Sequence, residues 1–300
     1  MTFTANDVKS LRERTGAGMM DCKKALTESQ GNVDDAIEIL RKQGLASASK
    51  KAGRVAAEGM IAHQLDAKAR TLAMVEVNCE TDFVVKTPEF SKLADDAAQL
   101  IATQNPADVA ALLQLKVADQ TVEAIQVALV AKIGENIGVR RFLRTSWNDK
   151  QDCAIYTHTG SKIAAAIVYD DPNKKMPAEL ARDIAMHITA MNPQYVRQSD
   201  VPAEFIAKEK EISLASMADQ KKPAEIMEKI VAGKIQKYLA DICLEDQIFV
   251  KDLEGKRSVS KVLAAIDKDI RITQMLRLQV GEGVEKKKED FAEEVAKMMQ

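Results

Sequence analysis

The run Glu80-Thr81-Asp82-Phe83-Val84 is the place in this chain where side-chain chemistry concentrates. Glu80 and Asp82, one residue apart, could share a divalent cation, yet such a site takes six or more oxygens and no third ligand is evident nearby in sequence. Phe83, a large apolar side chain beside a carboxylate, suits a contact site instead, because loops carry function while scaffolds carry shape. The competing reading folds Phe83 back onto its own core. Covalent chemistry finds no support elsewhere. Cys22, Cys79, Cys153 and Cys243 are scattered without a C-x-x-C pair, and His63, His158 and His187 are equally dispersed, so no metal-ligand spacing exists. Nucleophile-elbow, phosphate-loop and dinucleotide-binding motifs are all missing. The expectation is a protein that is not an enzyme and takes neither cofactor nor metal.

An internal duplication positions this run. In the first half, Leu72-Ala-Met-Val-Glu-Val77 precedes a helix with Leu93-Ala94, Asp96, Ala98, Ile101 and Asn105-Pro106. In the second, Ile163-Ala-Ala-Ala-Ile-Val168 precedes Leu180-Ala181, Asp183, Ala185, Ile188 and Asn192-Pro193. The strands are offset by 91 residues and the helices by 87, which predicts four extra residues in the first strand-to-helix loop, where Thr81, Asp82, Phe83 and Val84 lie.

Composition limits the classes of function. Forty-three Lys and Arg oppose 45 Asp and Glu, so there is no basic excess to replace phosphate counterions, and 4% aromatic content leaves few platforms for stacking bases; direct nucleic-acid binding is not expected. The run 163–169 falls far short of the ~20 apolar residues of a membrane helix. The first residues lack the basic and apolar regions of a signal peptide, and the chain reads as cytoplasmic, with no membrane partner.

Periodicity divides the chain. Residues 1–54 read as three short helices: Thr4 and Asp7 start the first and Gly16 stops it, the second runs over 19–29, and Val33, Ala36, Ile37 and Leu40 stripe a third that Gly44 closes. The Ala/Ser/Lys stretch 45–54 reads as a linker with some helical tendency. A core unit over 55–146 follows: a hairpin of 60–65 and 71–78, a helix capped at Thr87-Pro88 with Phe90, Leu93, Ala94, Ala97, Leu100 and Ile101 inward, and a longer helix over 121–137. The second unit begins over 147–199 and is interrupted by a helical hairpin at 200–240, with its tip at Lys221-Lys222-Pro223. It resumes over 241–280, where Ile270, Ile272, Leu276, Leu278 and Val280 alternate with Arg271, Thr273, Met275, Arg277 and Gln279. Residues 281–300 carry Phe291, Val295 and Met298 at helical spacing. The fold class is α+β: a three-helix bundle, duplicated α/β units with an inserted hairpin, and a C-terminal helix.

Three long motifs then carry a resemblance. The run 11–26 (Leu-Arg-Glu-Arg-Thr-Gly-Ala-Gly-Met-Met-Asp-Cys-Lys-Lys-Ala-Leu), the run 76–84 (Glu-Val-Asn-Cys-Glu-Thr-Asp-Phe-Val) and the run 131–137 (Ala-Lys-Ile-Gly-Glu-Asn-Ile), with Val280-Gly-Glu-Gly283, resemble the bacterial elongation factor Ts family in order and over essentially all 300 residues. The resemblance implies a ubiquitin-associated-like N-terminal bundle, two core subdomains and a coiled-coil arm, and it leaves open whether self-association or a higher-order complex forms through that arm. It implies a nucleotide exchange factor for the GTPase elongation factor Tu. Thr81, Asp82, Phe83 and Val84 would enter near the partner's Mg²⁺ and dislodge it, with Phe83 as wedge and Asp82 as hydrogen-bonding carboxylate. Met19, Met20 and Lys23 would dock on the nucleotide-binding domain, although Met19 and Met20 also suit a bundle core. Ile133 and Gly134 would lie near the phosphate loop, or simply end a helix. His158 would touch the partner's third domain, or merely stand exposed. A bundle acting as a protein-binding adaptor without exchange activity is the alternative, though it leaves the surplus at 81–84 unexplained.

Overall fold

The computed structural model describes residues 3–216 and 224–284. Helix α1 (Ala5–Thr15) opens with a reciprocal cap: Thr4 Oγ1 accepts from Asp7 N at 3.3 Å, and the Asp7 carboxylate accepts from Thr4 N at 2.7 Å. It closes at Gly16, whose φ of +68° supplies the left-handed turn. Helices α2 (Met19–Glu28) and α3 (Val33–Lys51) pack on it around Val8, Leu11, Cys22, Ala25, Leu26 and Ala36.

The third helix does not close at Gly44, and residues 45–51 are helix, not linker. A Cβ at Gly44 would stand 3.3 Å from Val127 Cγ1 and 3.9 Å from Ala131 Cβ. The glycine therefore permits close helix approach inside a run of good helix formers, a role that local sequence cannot distinguish from a stop. Ala48 reaches the next core, and Lys51 Nζ donates to Val130 O at 3.4 Å.

Strands β1 (Glu58–Asp66) and β2 (Thr71–Cys79) form the expected antiparallel hairpin. A single helical turn, α4 (Asp82–Val85), leads to α5 (Pro88–Gln104), followed by α6 (Val109–Gln114), the small ribbon of β3 (Lys116–Val117) and β4 (Gln120–Thr121), and α7 (Val122–Ile133). The last helix stops at Ile133, four residues short of the expected 137, because Gly134 adopts φ +89° and returns its N–H to Val130 O. Strand β5 (Gly138–Ser146) completes a sheet ordered β1-β2-β5; it has no counterpart in the sequence reading.

The second unit repeats this plan. Strands β6 (Gln151–Thr157) and β7 (Ile163–Asp170) lead to α8 (Ala178–Met191); the arms α9 (Ala203–Ala215) and α10 (Ala224–Ile242) pack through Val231, Ile235 and Leu239; α11 (Val259–Ile266) then precedes β8 (Arg271–Gln279), giving the order β6-β7-β8. Asn105 and Asn192 end α5 and α8 with the same left-handed cap, φ +49° and +47°. The arm tip at Lys221-Lys222-Pro223 and the stripe Phe291, Val295 and Met298 lie outside the described residues.

The two sheets stack face to face, with α5 and α8 on the outer faces. Every residue of β2 is buried for this reason: Ala73, Val75, Val77 and Cys79 meet α5, while Leu72 and Met74 meet Ala164, Ala166 and Leu278 of the opposing sheet. The strict alternation expected for 270–280 is broken by a register shift opposite Val168 and Tyr169. One extra residue flips the faces, so Ile270 and Ile272 join the α8 core whereas Leu276, Leu278 and Val280 join the core between the sheets.

The four surplus residues are also distributed differently. The loop before α5 (80–87) is only one residue longer than the loop before α8 (171–177), and the remaining surplus lengthens α5 at its start, where Phe90 is fully buried.

His187, buried on α8, accepts from Val250 N through Nδ1 at 3.1 Å and pairs through Nε2 with Gln247 Oε1 at 2.9 Å. Burial pushes its pKa below the ordinary imidazole value, against a smaller opposing effect from Gln247. A depressed folded pKa means that stability is present above the unfolded value, ~6.5, and is lost as pH falls through the folded one. Thermal melts from pH 7 to 5 should show a smaller acid-side loss in His187→Gln than in the parent chain; equal losses would remove the imidazole as the cause.

Candidate functional site

The segment between β2 and α5 is braced from outside itself. Cys79 Sγ, pushed up to about 12 by burial and the neighbouring Glu135 carboxylate, stays a thiol and donates to Thr81 O at 3.1 Å. Glu135, the second residue past α7, accepts from Glu80 N at 3.1 Å, Thr81 N at 2.9 Å and Thr81 Oγ1 at 2.6 Å. In return Glu80 Oε1 accepts from Asn136 N at 2.6 Å and from Arg54 at 3.4 Å. Glu80 is therefore committed to protein donors, and the metal-pair reading with Asp82 loses its first ligand. Among the described residues no group of three or more His, Cys, Asp or Glu side chains could hold a metal ion.

From this base the turn α4 projects. Asp82 is exposed, and Phe83 is 75% exposed, so it does not fold back onto its own core. Lys86 lies over the ring, 5.6 Å from its centroid. Val84 differs from its neighbours: at 4% exposure it belongs to the core under α5 and anchors the turn instead of facing outward. Thr87 secures the other end, donating its hydroxyl to Val84 O at 2.7 Å. Ile133 is half-buried against the same core, and Gly134 ends α7, so both lie at the loop's base through Glu135.

The other expected residues form separate patches. Met19 and Met20, 45% and 63% exposed at the start of α2, are not bundle core, and Lys23 stands exposed one turn on. His158 is exposed after β6, with Nδ1 3.2 Å from Tyr156 Oη, and Arg182 covers the tyrosine ring.

Two features escaped the sequence reading. Glu135 falls inside the run 121–137 expected to be helix, and the glycine before it is its only signal in the sequence. The second is the loop 248–257, where Leu253 is fully exposed and Ile248 and Val250 nearly half exposed. Asp252 fixes it, accepting from Arg257 N at 3.0 Å, Lys256 N at 2.8 Å and Arg257 Nε at 2.7 Å, and these bonds hold its carboxyl at about 2. Like the Phe83 turn, this is an apolar side chain on a braced loop.

Fold and site together define an α+β protein of back-to-back sheets that offers projecting apolar side chains on stiffened loops. The family model described as "Elongation factor TS" matches residues 80–282. The chain is 49% identical over 295 residues to the elongation factor Ts of Thioalkalivibrio sulfidiphilus, covering 98% of each chain, and 47% identical over 302 residues to that of Clostridium perfringens, covering 99% of each. It is 49% identical over 301 residues to the Xanthomonas campestris protein, covering 99% of this chain and 98% of that one. The chain belongs to the elongation factor Ts family. No helix among the described residues is long and apolar enough to cross a membrane.

Proposed function

We propose that this chain is a guanine nucleotide exchange factor for elongation factor Tu, acting in the cytoplasm, and that the Thr81–Val84 turn opens the partner's Mg²⁺ site. The observation that carries this reading is Phe83, three-quarters exposed on a turn whose base is pinned at both ends. A GTPase grips its nucleotide through a phosphate-cradling loop and a bridging Mg²⁺. That ion demands near-ideal octahedral geometry, so a wedge that displaces its surroundings weakens the site. Asp82 brings a carboxylate to a place where metal and phosphate charge must balance. Met19, Met20 and Lys23 would hold the nucleotide-binding domain, the adaptable methionines supplying apolar contact. Ile133 and Gly134 would approach the phosphate loop from the wedge's base, and His158 with the Leu253 loop would hold a more distant part of the partner.

Exchange requires tighter binding to nucleotide-free than to nucleotide-bound partner, and that coupling is reciprocal. Catalytic amounts of the chain should accelerate release of labelled GDP from purified elongation factor Tu, and excess GDP should dissociate the complex. A complex that forms but ignores GDP would leave the adaptor reading in its place.

A further inference from the structure

Glu135 and Glu80 exchange carboxylates across 55 residues of chain. Glu135 satisfies the two backbone N–H groups that begin the wedge segment, and its second oxygen takes the Thr81 hydroxyl. Glu80 satisfies the N–H of Asn136, two residues beyond the Gly134 cap of α7. The Asn136 amide extends the connection, donating to Arg54 O at 2.8 Å and Ala52 O at 3.4 Å, just past α3. Three segments thus meet at one point: the end of the bundle's last helix, the end of α7 and the root of the wedge. None of these groups reaches Phe83 itself.

We propose that Glu135 is a positioning residue for exchange: it fixes the direction of the Asp82-Phe83 turn relative to α7 and the bundle, so that docking energy displaces the partner's metal site instead of bending the loop. The inference rests on the wedge reading above. A ring on a loose loop loses its force because ordering the loop consumes the binding energy that should do the displacing. Glu135 carries this role by geometry more than by charge, since each of its bonds is to a backbone N–H or a hydroxyl. An amide at this position can keep them: its oxygen accepts from the N–H groups, and its NH₂ donates to Thr81 Oγ1.

The test measures GDP release from elongation factor Tu against concentration of the full-length chain. Glu135→Ala should lower the saturating rate roughly tenfold, the scale of one lost hydrogen bond to a charged group, while half-saturation, set by the other patches, stays within about twofold. Glu135→Gln should recover most of the loss. In a Phe83→Ala background, Glu135→Ala should add little, because both changes remove the same action. In the free chain, amide hydrogen exchange over 80–86 should quicken about tenfold in Glu135→Ala. An Ala variant with the parent's saturating rate, a Gln variant as damaged as Ala, or unchanged amide protection would each overturn the proposal. A Phe83→Ala chain with the parent's rate would instead strike the wedge reading, and the amide protection would still decide whether Glu135 holds the loop.

Discussion

Phe83→Ala should slow GDP release roughly ten- to a hundredfold, while the melting temperature of the free chain should stay within about 2 °C of the parent. The magnitude comes from what the ring loses on docking: fully burying a phenylalanine contributes ~1.5–3 kcal/mol, and each ~1.4 kcal/mol is a factor of ten in rate when it is realised only in the transition state. The unchanged melting point follows from 75% exposure, since truncating an exposed side chain moves stability by about 0.5 kcal/mol or less. Phe90, seven residues on and fully buried, is the internal contrast. Phe90→Ala should cost ~3–5 kcal/mol and disturb exchange only by unfolding the unit. A large fall in melting temperature for Phe83→Ala, with exchange recovered at low temperature, would reassign the ring to the core.

That contrast also marks where the sequence was legible. The buried stripe of α5, the Thr4 cap and the Asn-Pro helix ends are written in patterns a few residues long, and all are present in the structure. Position 83 could not be resolved that way, because a phenylalanine in a turn reads alike whether it points in or out. The bracing carboxylates could not be read at all. Glu80 and Glu135 lie far apart in sequence, and only the sheet that brings β2 beside β5 places the loop root against the end of α7. Glu76 is harder still. A glutamate in a largely apolar strand reads as a solvent-facing position, yet β2 has no solvent-facing side once α5 covers one face and the opposing sheet the other.

Glu76→Ala should therefore cost about 3 kcal/mol of stability although it removes no apolar packing, which lowers the melting temperature by roughly 6–12 °C. Its carboxylate is fully buried and accepts from Arg141 Nε at 2.6 Å, Gly281 N at 2.8 Å, Arg140 Nη1 at 3.0 Å and Asn78 Nδ2 at 3.1 Å. Arg141 also reaches Gln279 O and the Glu282 carboxylate, each at 3.0 Å, and Arg140 reaches Glu282 O at 2.6 Å. One carboxylate on β2 thus clasps two guanidiniums on β5 and the turn that follows β8, joining the edges of both sheets. The turn fits only as glycine: Gly281 has φ +71°, and a Cβ there would stand 2.5 Å from Ala57 O.

Removing the carboxylate takes a shared acceptor from two cations and two neutral donors, although Arg141 keeps the Glu282 carboxylate, Arg140 keeps Glu282 O and the Asn78 amide keeps Glu58 O, and the cost is several kcal/mol. Both arginine side chains keep about a third of their exposure, so water relieves them in part and the lower end of the range applies. The acid limb of stability provides the second reading. Burial alone would raise the Glu76 pKa, but the bonds from Arg141, Gly281, Asn78 and Arg140 outweigh it and hold the group below the ordinary carboxylate value. Its contribution is present above the unfolded pKa and disappears as pH falls through the folded one. Denaturant unfolding at pH 7 and pH 3 should therefore separate parent from Glu76→Ala widely at the first and less at the second. A difference below 1 kcal/mol at pH 7 would mean that the sheets are held by apolar contact alone, with the clasp an accompaniment to their packing.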